Sequence, residues 1–146
     1  MEYFTGLQLQ ELERGHLVRL AVWAVASMLA GGVAWIWSSR ATSPPFWRHA
    51  GIQGIAWGLV DLVLVLLAWH GVEPRDVAGA IALDRVLWLN IGLDVGYAMV
   101  GATLCIVGWR APRRPGLVGA GTAVALQGVA LAVLDAVLSA AIVRAA

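Results

Sequence analysis

Three of the nine acids in this chain, Asp61, Asp94 and Asp135, stand inside long apolar stretches. A carboxylate in hydrocarbon costs several kcal/mol unless it is protonated, paired or bound to a cation. Each has polar companions at helical spacing. Asn90, Asp94, Tyr97 and Gly101 recur at intervals of four, three and four, which places them on one stripe of a helix. His49, Gln53, Trp57 and Asp61 recur every four residues, a row that drifts by about 40° per step, so its neighbours touch while its ends diverge. Gln127 and Asp135 lie two turns apart, about 80° off each other. Such a set can take up a proton, or hold a cation or amine with neutral hydrogen bonds from Asn90, Tyr97 and Gln127 and a cation-π face from Trp57. With one acid kept neutral it can also protonate an alkene or epoxide, the aromatic rings sheltering the carbocation. The row from His49 reads either as a hydrophilic path inward or as a snorkelling histidine above packing polar groups.

The elements that must position these residues are set by composition. Of 146 residues, 60% are hydrophobic and 13% charged, and the mean hydropathy is +0.79, which is far from the average of soluble domains. Crossing a bilayer as helix takes roughly 20 apolar residues, and four stretches qualify: about 17–38, 52–69, 86–109 and 117–143. The sequence therefore predicts an all-α, up-and-down four-helix transmembrane bundle, a single domain over residues 1–146. Residues 1–15, with Tyr3, Phe4, Leu7 and Leu12 among polar neighbours, are expected as a short interfacial N-terminal segment; they are too long and too acidic for the head of a cleaved signal peptide. Thr42, Ser43, Pro44 and Pro45, and the run RAPRRPG over 110–116, break the chain into tight turns. After Pro74, Val77, Ala80 and Ile81 suggest a short interfacial helix. Trp35, Trp37, Trp47 and Trp109 mark one boundary, Trp69 and Trp88 the other.

In that topology Asp61, Asp94 and Asp135 are each about 12 Å in from the same side, so they are expected to meet. Three ionised carboxylates that close repel strongly, and Arg85 at the mouth is the candidate counter-ion. Gly92 and Gly96 form a small-xxx-small pair for close approach of a neighbouring helix. Ser27 and Ser139 read as hydroxyls for helix contacts. His16 and His70 are assigned to one boundary and His49 to the other, which does not suit haem. Cys105 is alone, so no disulfide or CxxC pair exists, and it reads as a small buried residue. No metal site and no cofactor is implied. The net charge of +1, without a lysine or a basic face, excludes nucleic acid as a partner. The partners expected are the lipid bilayer and a second copy of the chain or a larger membrane complex. Arginines divide evenly between the two sides, but those of loops 39–48 and 110–116 sit in short turns without acids, which points those loops to the cytoplasm.

The strings LNIGLDVGY (89–97) and ALQGVALAVLD (125–135), with Trp57 and Gly58 following a histidine in the second span, resemble an uncharacterised family of small four-helix bacterial membrane proteins. The resemblance runs from the first span to the fourth. It implies the same architecture, the bacterial inner membrane and a shared polar set: Trp57, Asn90, Asp94, Tyr97, Gln127 and Asp135. The family pattern carries asparagine at the position of Asp61, so the third acid departs from it. No activity comes with the resemblance. Three functional readings follow: a site binding or transporting a proton, cation or small amine; an intramembrane enzyme using an aspartic acid on an isoprenoid or other lipid; and a structural subunit whose acids join helices. The sequence leaves open whether the chain is an enzyme; as such, Asp94, Asp135 and Asp61 are the candidate acids.

Overall fold

The computed structural model describes residues 6–40, 43–110 and 114–145. They form four helices: α1 (Gly6–Ser38), α2 (Pro45–Trp69), α3 (Val77–Arg110) and α4 (Pro115–Ala145). The chain is an all-α four-helix bundle. Among the described residues Pro44 and Pro74 fall in connections and Pro45 and Pro115 at the first helical position, where a missing amide proton costs nothing and the fixed φ suits the helix. Pro44 caps α2 in extended geometry with Pro45 behind it. The carboxylate of Asp76 accepts the Gly79 amide at 2.8 Å and starts α3. The orphan carbonyls ending α1 are covered by the hydroxyls of Ser38, Ser39 and Ser43.

All four helices are long and apolar enough to cross a membrane, and the surface follows that composition. Leu29, Ile36, Leu67, Leu89, Met99 and Val133 point outward, while Glu13, His16, Asp61, Asp94, Gln127, Asp135 and Ser139 are buried. Apolar outside and polar inside is stable with lipid as the solvent, whereas in water so large an exposed apolar surface would drive aggregation. This is an integral membrane protein.

The helices pack as two hairpins. α1 lies along α2 and α3 along α4; the hairpins join mainly through α2 and α4, with a lighter contact of α1 on α4. Both hairpins close on glycine. A Cβ on Gly31 would sit 2.7 Å from the Gly51 carbonyl oxygen, and one on Gly121 would sit 2.5 Å from that of Gly101. Only glycine permits such backbone approach.

Three expectations shift. The stretch expected as a separate interfacial segment is, over residues 6–16, the opening of α1 itself, while Tyr3 and Phe4 lie outside the described residues. Likewise the short helix expected after Pro74 is the start of α3. Leu9 and Leu12 pack on Ala80, Leu83 and Leu87 of α3 and on Leu138 and Ile142 of α4, so both extensions have an apolar face to bury and continue as helix. Gly92 and Gly96 have open space where a Cβ would stand. Helix α3 approaches α4 through Gly101 and Gly108 instead, because that face carries Asp94 inward. Of the two turns, Thr42 and residues 111–113 also lie outside the described residues.

Candidate functional site

Three helices direct acids into the half of the bundle that holds the N-terminus of α1 and the C-terminus of α4. Asp61 of α2, Asp94 of α3 and Asp135 of α4 are 5%, 6% and 5% exposed, and their surroundings differ. Gln127 of α4 donates its amide N–H to Oδ2 of Asp61 while its Oε1 accepts the indole N–H of Trp23 from α1 at 3.0 Å. The two bonds fix which way the amide faces. Asp135 meets His16 of α1, with Nε2 3.1 Å from Oδ1. Asp94 makes no hydrogen bond among the described residues, yet lies close enough to both Asp61 and Asp135 to interact electrostatically with each.

The polar column continues toward the chain termini. The Ser139 hydroxyl donates to Oδ1 of Asp84 at 2.6 Å, joining α4 to α3. Beyond it Arg75, in the loop before α3, forms a bidentate pair with Glu13 at 3.0 and 2.8 Å. The hydrogen bond to Glu13 pushes the Arg75 guanidinium above its ordinary value, against a smaller opposing effect of burial. Gln10 also donates to the Val72 carbonyl at 3.1 Å, tying the loop to α1.

The remaining site residues divide. Trp57 and Tyr97 stack in a tilted pair with centroids 5.0 Å apart, each within one turn of an acid, and join α2 to α3 where those backbones scarcely touch. Asn90 is exposed, Gln53 is half-buried and His49 is exposed against Gly116, and none of the three hydrogen-bonds to the cluster. Asn90 misses it because a spacing of four rotates it past the face that Asp94 turns inward. Arg85, the expected counter-ion, is exposed and forms no ion pair among the described residues. His16, which composition assigned to a boundary, stands against Asp135 instead. Among the described residues no three His, Cys, Asp or Glu side chains gather closely enough to hold a metal ion, so the acids are neighbours that do not share one coordination point.

His16, Trp23 and the Ser139–Asp84 pair were missed as site residues. A signal for the first existed. The buried positions of α1, namely Leu9, Glu13, His16, Leu17, Ala24 and Gly31, keep one helical face from the apolar span down through the polar stretch.

The chain matches a family over residues 19–136, a stretch that holds Trp23, Asp61, Asp94, Gln127 and Asp135. It belongs to the DUF6992 family of unknown function. The matched stretch starts after Glu13 and His16 and ends before Ser139, so those three side chains lie outside it while their neighbours Arg75 and Asp84 lie within. No curated protein and no solved structure matches this DUF6992 chain.

Proposed function

We propose that this protein resides in the bacterial cytoplasmic membrane and uses its buried acids as a proton-binding site, with Asp94 as the group that takes the proton. The observation that carries this reading is the isolation of Asp94: 6% exposed, without a hydrogen bond among the described residues, and beside two other acids. Charge accounting supports it. With every acid ionised and His16 protonated, three negative charges face one positive charge in a medium where each uncompensated ion costs several kcal/mol. A proton on Asp94 relieves most of that repulsion. A small amine between Asp94 and the Trp57–Tyr97 pair would do the same, through a charged hydrogen bond and an aromatic face. A purely structural role fits Asp61 and Asp135, whose bonds to Gln127 and His16 join helices, but not Asp94, which joins none.

Infrared titration in lipid nanodiscs tests this. A carboxylic-acid band should appear on acidification and vanish in Asp94→Asn, whose fold should be kept because no hydrogen bond is lost. A wild-type protein whose acid bands are identical to those of Asp94→Asn would end the proposal. The Trp57–Tyr97 pair beside a neutral acid favours one second reading, an intramembrane acid acting on an isoprenoid or other lipid. Turnover of such a lipid by the wild type, lost in the same variant, would select it. For orientation we propose that loops 39–48 and 110–116 face the cytoplasm, since their arginines are unaccompanied by acids. Reporter fusions at the C-terminus should then be active only outside the cytoplasm, and cytoplasmic activity would reverse the assignment.

A further inference from the structure

The polar column contains an atom that the pairing of acids does not explain. Nδ1 of His16 is fully buried and has no hydrogen-bond partner among the described residues, while Nε2 of the same ring faces Asp135 at 3.1 Å. A buried ring nitrogen left without a partner costs about 1–3 kcal/mol, so a structural pairing alone would be better served by a side chain with one polar end. Two-ended imidazole is the side chain that can accept a proton on one nitrogen and release another from the second.

We infer that His16 is a proton relay, connecting the acid cluster to the protein face where Glu13 and Arg75 lie. This rests on the proton-binding reading of Asp94. In the resting ring Nε2 carries the proton, directed at Asp135, and the Nδ1 lone pair is free to accept. A hydronium ion entering past Glu13 gives its proton to Nδ1 and leaves as water. The imidazolium then releases its Nε2 proton to Oδ1 of Asp135, which passes one on toward Asp94. Rotation of the neutral ring then turns its Nδ1–H toward Asp135 and the bare Nε2 toward the entry, so the next proton is taken up on Nε2 and released from Nδ1. Every group facing the relay suits that order. Glu13 stands three residues earlier on the same helix, on the side toward which helical side chains lean, and Arg75 covers it from the loop. From α4 come Asp135 and Ser139, the latter bonded to Asp84 of α3. Asp94 of α3 receives the proton from within, with Asp61 of α2 beside it.

Hydrogen–deuterium exchange of the Asp94 carboxyl, followed as the infrared band that Asp94→Asn removes, tests the relay in nanodiscs. His16→Phe has no ring nitrogen and should slow exchange by about tenfold or more. Should that variant fail to fold, His16→Gln decides, because its amide keeps a donor for Asp135 but cannot shuttle; it should be slowed as well. Wild-type exchange in either folded variant overturns the relay, whereas absence of the Asp94 band from the wild type overturns the underlying proton site instead. The double variant Glu13→Ala with Arg75→Ala removes the cover without leaving a lone charge, and exchange should quicken several-fold. An unchanged rate there places the access route elsewhere and overturns the connection to that face.

Discussion

The two ends of this bundle are held together by different means. Toward the loops at 39–44 and 111–114, helices meet by backbone approach over glycine, at Gly31 with Gly51 and at Gly101 with Gly121. The only side-chain hydrogen bonds between helices described there are the weak ones of Cys105 to the Val118 carbonyl and Thr122, at 3.5 and 3.6 Å. Toward the termini, helices meet through polar side chains: Trp23, Gln127 and Asp61, then His16 and Asp135, then Ser139 and Asp84, then Glu13 and Arg75. The seam changes at Asp94, whose carbonyl oxygen still packs against Gly128 while its side chain opens the polar half. Glycine seams bring many atoms into contact and leave no room for chemistry. Polar seams hold the same helices with fewer, directional bonds and can leave a group unpaired, as they leave Asp94 and Nδ1 of His16. One end closes on backbone contacts and the other on directional side-chain bonds.

The comparison breaks most visibly if the glycine end is filled. Gly121→Val places a branched side chain against the Gly101 carbonyl and the Cys105 amide, 2.5 and 2.8 Å from the site of the new Cβ. Both neighbours are backbone and cannot swing aside, so the hairpin must part. Overpacking of this kind costs about 1–3 kcal/mol and more where backbone must move. Thermal unfolding in detergent should show a large loss of stability, with the α3–α4 hairpin opening first. A variant as stable as the wild type would mean that the two helices are not so close, and the contrast between the ends would fail.

Much of this was legible in the residues, and the failures are instructive. The four helices follow from length, apolarity and proline placement, all of which act locally. Burial of Asp61, Asp94, Gln127 and Asp135 follows from the cost of polar groups facing lipid, which is equally independent of detail. What the residues could not give was the pairing. Arg85 was the nearest cation by count along the chain, yet it is on the outer face of α3 while His16 reaches Asp135 across the bundle. Gly92 and Gly96 form the more familiar spacing, but which small-residue face a helix uses depends on which face the neighbour can occupy. Asn90 and Tyr97 share a stripe with Asp94, and Tyr97 finds Trp57 while Asn90 finds nothing among the described residues. Helical spacing tells which residues share a side of one helix; only packing tells what stands opposite.

A finer test lies inside the polar end, between an acid bonded to another helix and the one we propose as the proton site. Asp61→Asn removes a charge but can keep the contact with Gln127, because the asparagine carbonyl accepts the same amide N–H that the carboxylate accepts now. The stability change should therefore be small, below about 1 kcal/mol, the net worth of one neutral hydrogen bond. Its effect on the neighbour is the sharper readout. With one charge gone from beside it, the electrostatic surroundings of Asp94 change, so its carboxylic-acid band should shift in position relative to the wild type. If the Asp94 band does not move, the two acids are not electrostatic neighbours. The acid cluster would then be two separate helix contacts that share a depth.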